Sequence, residues 1–158
     1  MEKDQGHART VKIVVDTNII FSALLNRSSR IAQCILFPNS RLSFFAPSML
    51  LEEIVAHEEK LLLISGYSKQ ELDRLMLILS RRIRFIHIGL IPEATLRAAE
   101  KLTKDMDVDD TEFVALAIHM KAKLWSGDKK LRSGLEKKGW NKFLSTEDVF
   151  QMIRKHSD

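Results

Sequence analysis

Short apolar segments alternate with longer amphipathic segments along this chain. The first apolar segment, residues 11–15, is β-branched and interrupted only by Lys12, a pattern typical of a strand buried on both faces of a parallel sheet. Further short segments of this kind occur at residues 41–45, 83–88, 124–125 and 143–144. Strands that alternate with helices predict βαβ units, and hence a parallel sheet with right-handed crossovers and helices on both faces.

Apolar residues at helical spacing, together with polar capping residues, indicate the helices between these strands. The helices are predicted over residues 19–25, 30–37, 48–64, 69–81 and 93–104, with another around residues 113–118 and two more after Asp128 and Ser145. Ser68 with Glu71, and Ser145 with Asp148, have the spacing of a capping box. Residues 113–118 are continuously apolar, which predicts that this helix is buried.

In such a sheet, functional groups collect beyond the carboxyl ends of the strands. Asp16 directly follows the first predicted strand, and Asp128 follows the fourth after a short turn. Each acid has an ordinary structural explanation, because Asp is a common residue at helix N-termini. Asp16 and Asp128 can each be a helix cap, Asp109 or Asp110 can cap the buried helix, and Glu53 can be a solvent-facing helix residue.

Taken together, the acids favour a different interpretation, because a parallel fold brings strand ends and helix starts together. Carboxylates that lie close together raise each other's pKa, so a cluster of them stays ionised near neutral pH only beside a cation. Mg²⁺ or Mn²⁺ is the expected cofactor, since hard cations prefer oxygen ligands. Zinc is disfavoured, because the chain has one cysteine and its five histidines lack metal-binding spacing.

Length and composition limit the class of protein. The 158 residues suit one domain, and we expect a flexible N-terminal segment at 1–10 followed by a single domain at 11–155. Cys34 is the only cysteine, which suits a reducing compartment and a cytoplasmic location. The polar first ten residues do not resemble a signal peptide, and the longest aliphatic run, residues 61–64, is too short to cross a bilayer. No membrane partner is expected.

The net charge of +4 favours a polyanionic partner only weakly. The basic residues are clustered, with one group at Arg81, Arg82 and Arg84 and a second along residues 121–142. Such clusters are often simply solvated helix faces. From charge alone, nucleic-acid binding and a solvated surface both remain open.

Four motifs, in order along the chain, resemble those of PIN-domain ribonucleases. They are Val-Val-Asp-Thr-Asn-Ile-Ile, Leu-Leu-Glu-Glu-Ile, Asp-Asp-Thr-Glu-Phe-Val-Ala-Leu-Ala and Trp-Ser-Gly-Asp-Lys-Lys-Leu, and the resemblance covers about residues 11–150. It implies a three-layer α/β/α sandwich with a central parallel sheet, and acids that bind Mg²⁺ or Mn²⁺ to cleave single-stranded RNA. Many members of that family are toxins neutralised by an antitoxin, so an antitoxin partner is a further expectation. The oligomeric state stays open, with a homodimer as one alternative.

The resemblance assigns roles to individual residues. The acids that hold metal and support hydrolysis fall on Asp16, Glu53, Asp110 and Asp128. Glu52 remains the alternative to Glu53, because helical periodicity does not choose between them. Supporting positions fall on Asn18, Ser126 and Asp109, while Asp107 is a substitute carboxylate.

Lys129, Lys130 and Arg132 follow Asp128 directly and are candidates for gripping RNA phosphates. Two alternative functions remain. One is a non-catalytic RNA-binding or assembly module that keeps the acidic fold. The other is a haloacid-dehalogenase-like phosphatase, which needs a second aspartate two residues after the first, where this chain has Asn18.

Overall fold

The computed structural model describes residues 10–155. The predicted flexible segment at 1–10 lies outside the described residues except for Thr10. In the described part of the chain, five parallel strands form one sheet in the order β3-β2-β1-β4-β5. The strands are β1 Val11–Val15, β2 Leu42–Pro47, β3 Ile83–Ile86, β4 Lys123–Trp125 and β5 Phe143–Leu144.

The helices that connect these strands lie on both faces of the sheet. Over residues 10–155 they are α1 Thr17–Leu25, α2 Arg30–Leu36, α3 Met49–Ala56, α4 Glu58–Ser65, α5 Lys69–Arg82, α6 Glu93–Thr103, α7 Asp110–Met120, α8 Lys129–Glu136 and α9 Thr146–Lys155. The predicted α/β/α sandwich with a central parallel sheet is confirmed. None of the described helices is long and apolar enough to cross a membrane.

Alternation of side chains along the strands produces two apolar cores. Ile13 of β1 and Phe44 of β2 belong to one core, which α1, α2 and α5 cover. Val14 and Phe45, one position further along the same strands, belong to the other core with the apolar residues of α7. Both cores follow from the period of two along a strand. They hold the strand ends, and hence Asp16, in fixed positions.

The capping pairs predicted from sequence form. The Ser68 hydroxyl accepts a hydrogen bond from the Glu71 N–H at 3.1 Å. Ser145 and Asp148 cap each other's backbone N–H groups at 2.8 and 3.1 Å. These bonds satisfy N–H groups that the first turn of a helix leaves without a partner.

The helix predicted over residues 48–64 is wrong as one element, because it divides at His57 into α3 and α4. His57 has φ −104° and ψ 15°, outside the helical region, so the helical backbone is interrupted there. Apolar spacing continues across the break, which is why periodicity did not reveal it. The strand predicted over residues 83–88 is also shorter, since a 3-10 turn at Ile88–Leu90 follows β3 after His87.

Candidate active site

Asp16 lies where β1 ends, at the carboxyl edge of the sheet. Its backbone N–H donates to the carbonyl of Trp125 at 3.0 Å, which extends the β1–β4 pairing up to this residue. Its side chain is 6% exposed and accepts hydrogen bonds at both oxygens, from the Thr17 N–H at 2.8 Å and from the Ser126 hydroxyl at 2.6 Å. Asp16 is therefore both the cap of α1 and a buried carboxylate at the strand end.

Ser126 connects two acids that are far apart in sequence. Its hydroxyl donates to Asp16 and accepts a hydrogen bond from the Asp128 N–H at 3.1 Å. The Asp128 carboxylate in turn accepts from the Leu131 N–H at 3.0 Å and caps α8. Trp125, fully buried and bonded through Nε1 to the Thr146 hydroxyl at 3.1 Å, holds the strand end from which Ser126 projects. This set of bonds fixes Asp128 relative to Asp16.

Asp110 is the first residue of α7 and approaches the same edge. Its pKa is raised from 3.8 to about 6, chiefly by burial and then by the negative charges of Asp16, Asp107, Asp128 and Asp109. These four aspartates raise the pKa of Asp110 because they lie close to it. Together with Asp110 they form the acidic cluster. Asp105, Asp107, Asp110 and Asp128 also line a cavity of about 270 Å³ with Met106, Lys130 and Leu131.

Glu53, on α3, reaches this acidic cluster from the other side. Its carboxylate accepts a hydrogen bond from the Thr17 hydroxyl at 3.5 Å. Burial raises its pKa, with smaller contributions from the charges of Asp109 and Asp16. Glu52, the alternative second acid, is exposed, whereas Glu53 is half-buried. Of the two glutamates, only Glu53 has a hydrogen bond to the residue beside Asp16 among the contacts of residues 10–155.

Two residues of this cluster were not identified from the sequence. Thr17 links Asp16 to Glu53 through its backbone and hydroxyl groups. Glu112 has a pKa raised by burial and then by the charges of Asp109, Glu53 and Glu52. Because residues three apart share a helix face, the spacing of Asp109 and Glu112 is the sequence signal that points to Glu112.

The predicted supporting and RNA-binding residues occupy varied positions. Asn18 is exposed and lines a groove with Glu53, and Asp109 precedes α7 without capping it through its side chain. Lys130 lines the acidic cavity. Arg132 is engaged with the Glu136 carboxylate at 3.0 Å, while Lys129 is exposed at the start of α8.

The donor set suits a hard divalent cation. The groups that converge are carboxylate and hydroxyl oxygens. Burial, and then the negative charges of neighbouring carboxylates, raise the pKa values of Asp16, Glu53 and Asp110. Within residues 10–155, no three His, Cys, Asp or Glu side chains are close enough to enclose a metal directly. Mg²⁺ in proteins is bound by one or two carboxylates and keeps several waters, so further acids would contact such an ion through water.

Replacing Asp110 with Asn should stabilise the metal-free protein. The folded pKa of about 6 lies above the unfolded value of 3.8, so ionisation of Asp110 costs stability increasingly as pH rises from about 4 to 6, and fully above that. After allowance for solvent screening of this half-exposed group, the gain is about 1 kcal/mol, or about 2–4 °C in Tm. Thermal unfolding in EDTA near neutral pH measures it.

The gain in Tm for Asp110→Asn should shrink as pH falls below about 6, because the folded wild-type carboxyl becomes protonated, and it should vanish below the unfolded pKa of 3.8, where the carboxyl is protonated in both states. Asp73→Asn is the matched control, since Asp73 is exposed on α5 and its pair with Lys69 at 3.6 Å is solvent-exposed, so loss of this pair should change Tm little. A variant that is less stable than the wild type near neutral pH would contradict this account of the repulsion.

Comparisons with known proteins agree with this architecture. VapBC2 from Rickettsia felis, solved bound to a DNA fragment from its promoter, matches with a TM-score of 0.60 at 14% identity, over 85% of this chain and 98% of that chain. PAE2754 from Pyrobaculum aerophilum also has a TM-score of 0.60, at 12% identity, over 92% of this chain and 90% of that chain. These likenesses establish the fold.

A search of curated proteins finds no significant match. The sequence model of the PIN domain, in contrast, matches residues 14–154, a span that includes Asp16, Glu53, Asp110 and Asp128. This match covers most of the chain and agrees with the strand order, the acidic edge and the resemblance of the four motifs. The chain therefore belongs to the PIN domain family, whose members are generally nucleases.

Proposed function

We propose that this protein is a metal-dependent endoribonuclease that hydrolyses phosphodiester bonds in single-stranded RNA. The observation that carries the proposal is the convergence of carboxylates at the carboxyl edge of the sheet: Ser126 bonds to both Asp16 and Asp128, and Asp110 shares a cavity wall with Asp128. Burial and the charges of four aspartates raise the pKa of Asp110 to about 6. Such a concentration of negative charge is unfavourable unless a cation offsets it. Asp16, Glu53, Asp110 and Asp128 are the proposed metal-holding residues.

Each of these residues has a distinct part in the proposed mechanism. Asp16 is oriented by the Thr17 N–H and the Ser126 hydroxyl, so its carboxylate is held in place before substrate arrives. Asp110 and Asp128 supply further carboxylates from the wall of the adjoining cavity, and Glu53 contributes from α3. A bound Mg²⁺ or Mn²⁺ ion supplies Lewis acidity, which lowers the pKa of water and offsets charge on the phosphate.

In the proposed mechanism, the chain's other polar residues position the RNA, and a water molecule is the nucleophile. Lys130, on the cavity wall, is placed to attract a phosphate of the substrate. Asn18 occupies the position where a haloacid-dehalogenase-like phosphatase needs its acid-base aspartate, so a covalent aspartyl intermediate is disfavoured. No side-chain nucleophile is required in the proposed reaction.

A substrate panel tests the proposal against its alternatives. End-labelled single-stranded RNA, duplex RNA, single-stranded DNA and a small phosphomonoester are incubated with Mg²⁺, Mn²⁺ or EDTA. We expect internal cleavage of single-stranded RNA with either metal and none in EDTA. Binding of RNA without cleavage under all conditions would favour the non-catalytic RNA-binding module, and phosphate release alone would favour the phosphatase.

Replacing Ser126 with Ala should lower kcat/KM for RNA by about 10–100-fold, as expected for a residue that orients a metal ligand. The Ser126 hydrogen bond lowers the pKa of Asp16, which burial otherwise raises. Without it the carboxyl is harder to ionise, so the acid limb of the pH–rate profile should move to higher pH. Ser126→Thr, which keeps the hydroxyl, should restore both. An unshifted profile in Ser126→Ala would contradict this role.

An antitoxin is the proposed protein partner. The support is the family resemblance, together with an apolar groove of about 370 Å³ that lies beside Glu53. Its lining includes Phe21 and Leu61, and Ile64 at its rim is 58% exposed. Growth arrest on expression, relieved by a small protein encoded next to this one, would support a toxin role. Unimpaired growth despite RNA cleavage in vitro would count against it.

A further inference from the structure

A second charged cavity lies at the edge of the sheet opposite the acidic cluster. It has a volume of about 450 Å³ and adjoins the amino ends of β1, β2 and β3. Its charged lining residues, within the described part of the chain, are all cationic: Lys12, Arg81, Arg82 and Arg84. The length of β1 separates this basic cavity from Asp16 by about 15 Å. It is therefore distinct from the proposed active site.

Strand register explains why cations meet at this edge. Lys12 of β1 pairs with Ser43 of β2, and Arg84 of β3 pairs with Phe45, two positions further along β2. Lys12, Ser43 and Arg84 thus share one face of the sheet. Further along this face, Val14 and Phe45 are buried in the core formed with α7, whereas Lys12 and Arg84 are exposed. Parallel sheets are usually covered on both faces, so exposed cationic residues on this face of the sheet are unusual.

Helix electrostatics accounts for only part of the cluster. Arg81 and Arg82 lie in the last turn of α5, where the negative end of the helix dipole favours cations. Lys12 and Arg84 project from strands and gain nothing from that dipole. The Nε of Arg82 is also buried without a hydrogen-bond partner among residues 10–155. We expect a hydrogen-bond acceptor to bind here, because a buried donor without a partner lowers the stability of the fold.

An aromatic side chain beside the cations narrows the class of ligand. Phe37 lines the cavity and is 66% exposed, so its ring is available for contact. Arginine forks bind phosphate oxygens in pairs, and exposed aromatic rings next to cations stack on nucleobases. We propose that the basic cavity binds a phosphorylated nucleoside, present either as a free nucleotide or as the phosphorylated end of an RNA chain.

Binding assays in EDTA test this site without any need for catalysis. One probe is AMP, whose binding is measured by calorimetry. The other is a short RNA that carries a fluorescent label at its 3′ end and either a phosphate or a hydroxyl at its 5′ end, and its binding is measured by fluorescence anisotropy. The cavity variant is Lys12→Ala/Arg84→Ala. The matched control is Arg74→Ala/Lys101→Ala, which removes the same charge from two exposed helix positions outside the cavity.

We expect the cavity variant to bind the phosphorylated probe at least about tenfold more weakly, and the control to stay within about twofold of the wild type. Phe37→Ala should weaken nucleotide binding about tenfold while leaving competition by inorganic phosphate unchanged. If AMP binds, a free nucleotide is a sufficient ligand. If 5′-phosphorylated RNA binds and AMP does not, the ligand is the phosphorylated end of an RNA chain.

Three results would overturn the proposal. These are no binding of either phosphorylated probe, equal weakening in the cavity and control variants, and binding of 5′-hydroxyl RNA as tight as that of its phosphorylated counterpart. All of these binding measurements are made in EDTA, where the proposed cleavage reaction does not run. Failure of this site is therefore distinguishable from failure of the proposed nuclease activity, which is measured separately with Mg²⁺ or Mn²⁺.

Discussion

Replacing Asp16 with Asn is expected to lower RNA cleavage by at least about 10³-fold. In the proposed mechanism this carboxylate holds the catalytic cation, so its loss removes several kcal/mol of stabilisation from the reaction, and each 1.36 kcal/mol changes a rate tenfold. Single-turnover cleavage of labelled RNA with saturating Mn²⁺ measures the effect. Asp73→Asn, which removes the same charge from an exposed position on α5, should cleave at the wild-type rate.

The Asp16→Asn protein should remain folded. The amide oxygen can still accept one of the two hydrogen bonds that reach the carboxylate from the Thr17 N–H and the Ser126 hydroxyl. Loss of the other bond is offset, because burial disfavours the charged form of Asp16. A Tm close to or above the wild-type value, together with lost activity, is the expected combination. Activity within threefold of wild type would remove Asp16 from the mechanism.

The second large effect is expected on α3, where Glu53→Gln should lower kcat/KM about 100-fold and Glu52→Gln by no more than about threefold. Glu53 is half-buried and bonded to Thr17, whereas Glu52 is exposed. Glutamine still accepts the Thr17 hydrogen bond, so the variant loses charge and little else. The two substitutions make the same chemical change on neighbouring residues of one helix, and each is therefore the other's control.

Both variants are compared on the same labelled RNA over a range of Mn²⁺ concentrations. For Glu53→Gln we expect a higher Mn²⁺ requirement as well as a lower maximal rate, because ligand charge contributes to cation affinity. If Glu52→Gln loses as much activity as Glu53→Gln, or more, Glu52 is the second acid and the hydrogen bond to Thr17 is only structural.

The layered fold was predictable because its signals are local. The apolar run at Val11–Val15 and the capping spacing of Ser68 and Glu71 are each visible within a few residues. The break at His57 was not predictable in this way. Leu50, Ile54 and Leu61 are buried on either side of it, so their apolar spacing continues through the interruption. After the break α4 packs against α1, which is a tertiary contact.

The candidate site was predictable only in outline. Asp16 and Asp128 follow strands, so a parallel sheet places both at one edge. The shared hydroxyl of Ser126 and the approach of Glu112 to Glu53 depend on how turns and α7 lie over the sheet. The basic cavity likewise depends on register, which aligns Lys12 with Ser43 and Arg84 with Phe45. Register cannot be read from a single strand, since it is a relation between two.

Direct measurement of Mn²⁺ binding tests the central claim, that carboxylates at the strand ends hold a divalent cation. Free Mn²⁺ is followed by electron paramagnetic resonance near neutral pH, with the wild type and with Asp16→Asn/Asp110→Asn. We predict that the wild type depletes the free Mn²⁺ signal saturably, that Mg²⁺ restores it by competition, and that the double variant leaves it unchanged. Equal depletion by both proteins, or none by the wild type, would contradict the account.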